Sequence, residues 1–340
     1  MTEKQYGGVT GRGTDNVTKA HQMNNVPLSK PKEVSVNSKS QKESKSEGKD
    51  YEKFIKAGKI SSEVKKYART FIKKDIFLLE IAEKIESKII EMGAKIAFPT
   101  NLSIDEIAAH DTPSFNDTRK AQGLLKVDIG VQIDGCVADS AFSMDLENSE
   151  ENKKLIQAAE KAVEEGCKTI NAGVKIRNIG AAIEKAIKSL GFTPIQNLSG
   201  HSIEPYTLHA GITIPNVDNS QEKTIEEGVY AIEPFSTNGL GRVKDGKPSG
   251  IYRLERDGHV RDDFSREVLA FIYENYKTLP FCSRWIYKKF GSRGLLALKR
   301  IEDVGILHNY PRLMEAGNGK VAQAEETTLL AKDKKIITTL

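Results

Sequence analysis

The sequence predicts a mixed α/β fold interrupted late in the chain by a helical insertion. Three observations carry that reading. Runs of helical periodicity alternate with short strand-like runs, an Asp134-Gly135 pair sits between two alternating segments as a hairpin turn would, and the texture changes after Gly239-Leu240-Gly241. The elements follow in order.

Residues 1–50 stand apart. They are rich in Lys, Ser, Asn and Gly, carry nine Lys/Arg against six Asp/Glu, and hold one aromatic, Tyr6. Such a segment buries too little apolar surface to offset its ordering entropy, which predicts a disordered, weakly basic tail. Either it is a solvated extension or it tethers the protein electrostatically to an RNA-rich partner such as the ribosome. From Tyr51, apolar residues at Phe54, Ile55, Ile60, Val64, Tyr67 and Ala68 keep helical spacing. A second helical run takes in Phe71, Ile76, Leu79, Ile81, Ile85, Ile89 and Ile90. IAFPTNLS (96–103) reads as a strand, and IDEIAAHDTP carries a turn and His110. Residues 150–190 form two amphipathic helices broken at Asn171-Ala172-Gly173. Strand-like segments follow near 193–198, 208–214 and 229–236. Helices are expected at 263–277, 281–290 and 293–303, then a Tyr310-Pro311 turn and two strands near 320–331 and 335–340.

The stretch VDIGVQIDGCVADSAF (127–142) alternates as a half-buried strand should, yet includes Asp128, Asp134 and Asp139. With Asp134-Gly135 as the central pair of a type I′ turn, Ile133 pairs with Cys136, Gly130 with Asp139 and Asp128 with Ala141. Asp128 and Asp139 then become diagonal neighbours on one face, about 7–8 Å apart. Val127, Ile129, Val131 and Ile133 take the other face and pack on the core. Two carboxylates so close repel unless a cation lies between them, and a metal pair about 3.5–4 Å apart fits that need. Further candidates lie in GHSIEPYTLHAG (200–211), with His201 and His209; in YAIEPF (230–235), with Glu233; and in VAQAEETTLLA (321–331), with Glu325 and Glu326. Each alone is more simply read as hydrogen-bonded structure. Together they make an Asp, Asp, His, Glu, Glu set.

Composition excludes several classes. The net charge of +4, from 51 basic and 47 acidic residues, lacks the surplus of a dedicated nucleic-acid binder. Cys136, Cys167 and Cys282 are widely spaced without a CxxC pair, so reduced thiols are expected. There is neither an apolar secretory h-region nor a run of about 18 apolar residues, and a cytoplasmic location follows as the expectation, with no membrane partner.

The segments AFPTNLS, AAHDTP, VDIGVQIDGCVADSAF, NLSGHSIEPYTLHAG, VYAIEPF and VAQAEETTLL resemble, in this order, the core of type 2 methionine aminopeptidases, most like the archaeal ones. The resemblance covers about Tyr51 to Leu340. It implies a pita-bread fold, a curved antiparallel sheet flanked by helices, with a winged-helix-like helical insertion at about 241–318. It implies two divalent ions, of Mn, Fe, Co or Zn, held by Asp128, Asp139, His201, Glu233 and Glu325, with Asp139 and Glu325 bridging. It further implies Glu233 as general base, His209 at the scissile carbonyl and His110 at the substrate amide. Phe98 and Tyr310 would wall the methionine pocket, with Pro280 and Phe281 lining it from the insertion. The expected activity is removal of the initiator methionine from nascent chains when the second residue is small, by a monomer. Departures are Glu326, where the family usually has His, so that tuning of metal affinity turns on this position, and Asp111, expected to add negative charge at the pocket mouth. No counterpart is evident for the insertion histidine of eukaryotic members; His259 is not assigned to it.

The alternatives are a catalytically dead relative that binds ribosomes or RNA, which the five intact ligand positions weigh against, and a proline dipeptidase on the same fold. A DNA-binding insertion is the third. Its basic cluster of Lys288-Lys289, Arg293 and Lys299-Arg300 alternates with Glu302 and Asp303, as a solvated face does. Gly239-Leu240-Gly241 lacks the rest of a dinucleotide fingerprint.

Overall fold

A computed structural model describes residues 47–332 and 334–340, with side chains from Tyr51 onward. The tail expected over 1–50 lies outside the described residues, except that positions 47–50 already belong to the first helix. That helix, α1 (Glu47–Phe71), and α2 (Leu78–Glu91) bury Ala57, Ile60, Val64 and Ala68, and Leu78, Ile81, Ile85 and Ile89, at three- and four-residue steps. β1 (Lys95–Ile104), the short β2 (Ile107–Ala109), β3 (Leu124–Ile133) and β4 (Cys136–Asp145) follow, and β1-β3-β4 form one antiparallel sheet. Val127, Ile129 and Val131 of β3 share a core with the two helices.

The β3–β4 hairpin has the register deduced above: Ile133 opposite Cys136, Gly130 opposite Asp139, Asp128 opposite Ala141. Its turn residues take φ 51° at Asp134 and 88° at Gly135, the double positive φ a type I′ turn demands.

The second half repeats the helices-on-sheet plan. α3 (Glu150–Thr169) is capped by Ser149, whose hydroxyl accepts from the Asn152 amide, and α4 (Ile176–Lys188) follows the expected break at Gly173. Both helices pack on short strands shared between two sheets: β5 (Thr193–Pro194), β6 (Ser199–Ile203), β7 (Thr213–Pro215), β8 (Gly228–Ile232) and β9 (Phe235–Thr237). Between these and the C-terminal strands comes β10 (Val243–Leu254), α5 (Asp263–Asn275), β11 (Phe281–Cys282), α6 (Ser283–Asp303) and β12 (Leu307–Glu315). The chain closes with β13 (Val321–Gln323), β14 (Glu326–Ala331) and β15 (Lys334–Ile337), giving sheets ordered β15-β14-β8-β6-β7 and β13-β9-β5. The two halves meet where Ala141 of β4 and Glu325 exchange backbone hydrogen bonds of 3.2 and 3.0 Å.

Several expected boundaries shift. α6 is two helical pieces joined at Gly291 (φ 64°, ψ −157°), matching the two runs expected there. Tyr310-Pro311 is not a turn; it lies inside β12, where Pro311 faces Pro248 of β10 at an irregularity in the ladder, so neither ring removes a needed donor. β10 itself was not anticipated, because VKDGKPSGIYRL carries Pro and two Gly and no clean alternation. It makes the region 241–318 a strand–helix–strand–helix–strand unit, in which β10 precedes the helices expected there. The runs at 229–236 and 320–331 each split into two strands, at Glu233-Pro234 and at Ala324-Glu325. The strand expected at 208–214 shrinks to Thr213–Pro215 because Gly211, at φ 94°, turns the chain before it. The 193–198 run shortens to Thr193–Pro194.

Candidate metal centre

The five charged or imidazole side chains singled out above come from five different strands or strand breaks. Asp128 and Asp139 project from the hairpin, His201 from β6, and Glu233 and Glu325 from the two interruptions of the C-terminal sheet. A residue at such a break can turn its side chain inward while its apolar neighbours stay in the ladder. All five, with Phe98, His110, His209, Tyr310 and Pro280, line a single cavity with about 80 Å³ of free space. Phe281 does not. Side chains alternate along β11, so its ring is buried against Tyr252 in the insertion's own core.

The electrostatics are those of a site built for cations. Donor atoms of Asp139, His201 and Glu325 lie within 4.8 Å of one another. His201 Nε2 is 3.6 Å from Asp139 Oδ2 and 3.6 Å from Glu233 Oε1. Asp128 Oδ1, Asp139 Oδ1 and Glu325 Oε1 are buried without a hydrogen-bond partner. Among the described residues no Lys or Arg forms an ion pair with any of the four carboxylates. Burial pushes Asp128 up to about 7, opposed by the Gln323 amide. Burial, then mutual repulsion, holds Asp139, Glu233 and Glu325 well above the usual carboxylate range. Burial lowers His201 to about 3; desolvation also lowers half-buried His110 to about 4, and lowers His209, although that side chain is open to solvent. Orphaned carboxylate oxygens beside a neutral imidazole are the donor set a divalent ion takes, so the residues fit a metal.

The walls are equally determined. A Cβ on Gly130 would stand 2.4 Å from the Phe98 ring, so only glycine lets that ring lie over the hairpin. The His209 ring meets His201 edge-on at 4.4 Å between centroids, and His110 meets Tyr310 at 5.1 Å. Asn101, Leu208 and Ile251 also line the cavity and were not anticipated. Asn101 faces Asp128 across the β1–β3 ladder, and Ile251 belongs to the unrecognised β10.

Two expectations are corrected. Asp111 adds no charge at the mouth: it is fully buried, ion-paired to Arg119 at 2.6 Å and to Arg312 at 2.9 Å. Glu326 does not face the metal site, because alternation along β14 turns it to the opposite side of the sheet, onto Lys65 at 2.7 Å. His259, left unassigned, lies against Arg266, Leu269 and Tyr273, away from this cavity. Another histidine of the insertion, His308, meets the Tyr310 ring edge-on at 5.1 Å between centroids but does not line the cavity.

The profile of metallopeptidase family M24 matches residues 52–263. Methionine aminopeptidases are among the similar proteins: one from Pyrococcus abyssi is 48% identical over 295 residues, covering 85% of this chain and 99% of its own length. One from Methanocaldococcus jannaschii is 43% identical, covering 85% and 98%. Among solved structures, a thermophilic Arx1 superposes with TM-score 0.72 at 16% identity, over 84% of this chain and 90% of that one. The methionine aminopeptidase from Thermotoga maritima gives 0.62 at 19% identity, over 86% and 97%. These structural likenesses establish the pita-bread fold.

Proposed function

We propose that this chain, which belongs to metallopeptidase family M24, removes the N-terminal initiator methionine from nascent proteins. The single observation that carries the reading is the set of four carboxylates, Asp139 and Glu325 buried and Asp128 and Glu233 half-buried, three with orphaned oxygens, converging with His201 on one cavity. High identity to methionine aminopeptidases along nearly their whole length supports the substrate class. With all five candidate ligands present, a catalytically dead relative is disfavoured.

Asp128, Asp139, His201, Glu233 and Glu325 would hold two divalent ions of Mn, Fe, Co or Zn. Such ions supply an activated water at neutral pH and polarise the scissile carbonyl. Glu233 would serve as general base, its proton affinity raised by desolvation and then by the Asp139 and Asp128 carboxylates. The His209 imidazole donates to the developing negative charge on the carbonyl oxygen. His110 Nδ1 faces the Pro311 carbonyl at 3.3 Å; since a carbonyl only accepts, Nδ1 carries the proton and Nε2 presents a lone pair to the substrate amide N–H. Phe98 and Tyr310 wall the slot for the methionine side chain, and a small second residue fits the space beyond. Residues 241–318 form the type 2 insertion. The protein acts as a cytoplasmic monomer, and the basic residues of 1–50 offer a contact to the ribosome. Among the described residues no helix is long and apolar enough to cross a membrane.

The test is methionine release from Met-Gly-Ser by metal-stripped protein, by protein with Mn²⁺ or Co²⁺ restored, and by Glu233→Gln, with an Ala-Pro dipeptide as competitor substrate. Release that needs metal and is lost in Glu233→Gln supports the reading. Cleavage of Ala-Pro in preference to Met-Gly-Ser, or no cleavage by folded, metal-loaded protein, overturns it.

A further inference from the structure

His110 follows β2 in a backbone conformation that residues with a Cβ seldom adopt, φ 59°. Its ring nevertheless has a defined seat, with Nδ1 on the Pro311 carbonyl and the ring edge-on to Tyr310. What holds it there is in the next residue. Asp111 is fully buried. Its carboxylate accepts hydrogen bonds from Arg119 at two points, 2.6 and 3.0 Å, and forms an ion pair with Arg312, whose Nε lies 2.9 Å away without donating a hydrogen bond, while its carbonyl accepts the Leu102 amide at 2.6 Å. Arg119 is itself fixed by Asp117 through Nε and Nη2, at distances from 2.7 to 3.2 Å. Arg312 lies on β12, the residue after Pro311 and two after Tyr310. One carboxylate thereby ties the immediate neighbour of His110 to the stretch of β12 that carries both contacts of the His110 ring. Two carboxylates and two guanidiniums balance, so the cluster is neutral and stays anchored without drawing on the cavity's charge.

We propose that Asp111, through Arg119 and Arg312, is a positioning residue for His110: it holds the imidazole with Nδ1 on Pro311 and Nε2 toward the substrate. This rests on the reading that His110 contacts the substrate amide. Without the tether the backbone relaxes from its left-handed conformation, the Pro311 contact opens and the lone pair no longer points at the reaction.

The experiment compares wild type, Asp111→Asn, His110→Ala and the double variant, all full length and loaded with Mn²⁺, in methionine release from Met-Gly-Ser. Mn²⁺ affinity is read by calorimetry, and the His110 tautomer by ¹⁵N NMR of histidine-labelled protein. Asp111→Asn is expected to lower kcat at least tenfold with KM and the Mn²⁺ Kd within twofold. The double variant is expected to be no slower than His110→Ala, because the two changes remove the same function. The NMR spectrum should pass from one tautomer, protonated at Nδ1, to a mixture. A kcat within twofold of wild type, losses that multiply in the double variant, or a Mn²⁺ affinity that falls in parallel each overturn the proposal. If His110→Ala keeps full activity, the role given to His110 is what fails, and an unchanged tautomer in Asp111→Asn would then sink the positioning claim separately. Should Asp111→Asn not fold, Arg312→Lys, which shortens one arm and leaves the Arg119 pair intact, is held to the same criteria.

Discussion

Replacing Asp128 by Asn should make the metal-free protein more stable while weakening its response to metal. In the folded state the Asp128 carboxyl titrates at about 7, against 3.8 for an exposed one, and burial is the main cause. A carboxyl whose pKa is raised by folding stabilises fully only below its unfolded value; that contribution is lost as pH climbs through the folded value. A gap of about 3 units at about 1.4 kcal/mol each puts the loss on the order of 4 kcal/mol at pH 7.5. Asn keeps the shape and drops the charge, and it also removes a repeller from Asp139, Glu233 and Glu325. Urea denaturation of chelator-treated proteins at pH 7.5 should therefore find Asp128→Asn more stable by about 2–4 kcal/mol, with a gap that shrinks to about 1.5 kcal/mol at pH 5. Added Mn²⁺ should raise the wild-type midpoint by mass action and raise the variant's by less, because Asp139, His201, Glu233 and Glu325 remain. A metal-free variant less stable than wild type at pH 7.5, or a gap that holds constant down to pH 5, would refute the reasoning.

Three further outcomes follow from the packing. Gly130→Ala drives a methyl group into the Phe98 ring, so stability should drop by about 1–3 kcal/mol and KM for a methionyl peptide should rise; an unchanged KM would show that Phe98 does not shape the slot. Glu86→Ala strips the partner from buried Arg284, which it grips at 2.8 Å through both oxygens, and from the Trp285 indole at 2.8 Å. A loss of about 3–5 kcal/mol in thermal or urea unfolding is expected, and a loss under 1 kcal/mol would contradict it. Glu326→Gln weakens the Lys65 pair behind the sheet and should cost about 1–3 kcal/mol, yet leave the Mn²⁺ Kd within twofold; calorimetry showing a tenfold weaker Kd would return this residue to the metal site.

The hairpin was legible down to its register because two local rules agree there: Asp-Gly selects a two-residue turn, and period-two alternation then assigns every side chain to a face. Glu233 and Glu325 were visible as carboxylates inside apolar runs, although the strand breaks that let them turn inward were not. What stayed hidden depends on distant partners or on irregular strands. Asp111 reads as a stray charge in sequence, since Arg312, which neutralises it together with Arg119, lies 201 positions onward. The side of the sheet on which Glu326 falls follows from where β14 begins, a boundary the apolar run 320–331 conceals. β10 escaped because Pro248 and its glycines mask a strand held by pairing rather than by propensity, and with it went Ile251.

The contact between Ala141 and Glu325 has a kinetic consequence. Asp139 and Thr327, bonded beside it at 2.8 Å, are 188 residues apart along the chain. Closing a loop of that length costs about 4–5 kcal/mol of chain entropy beyond the constant term. Closure is repaid only once both sheets exist, so the site is assembled near the end of folding rather than at its nucleus. Cations captured by a late-formed site leave the folding rate nearly untouched and act almost wholly on the escape rate from the native state. Chelation would then shorten the lifetime of the folded molecule without slowing its formation.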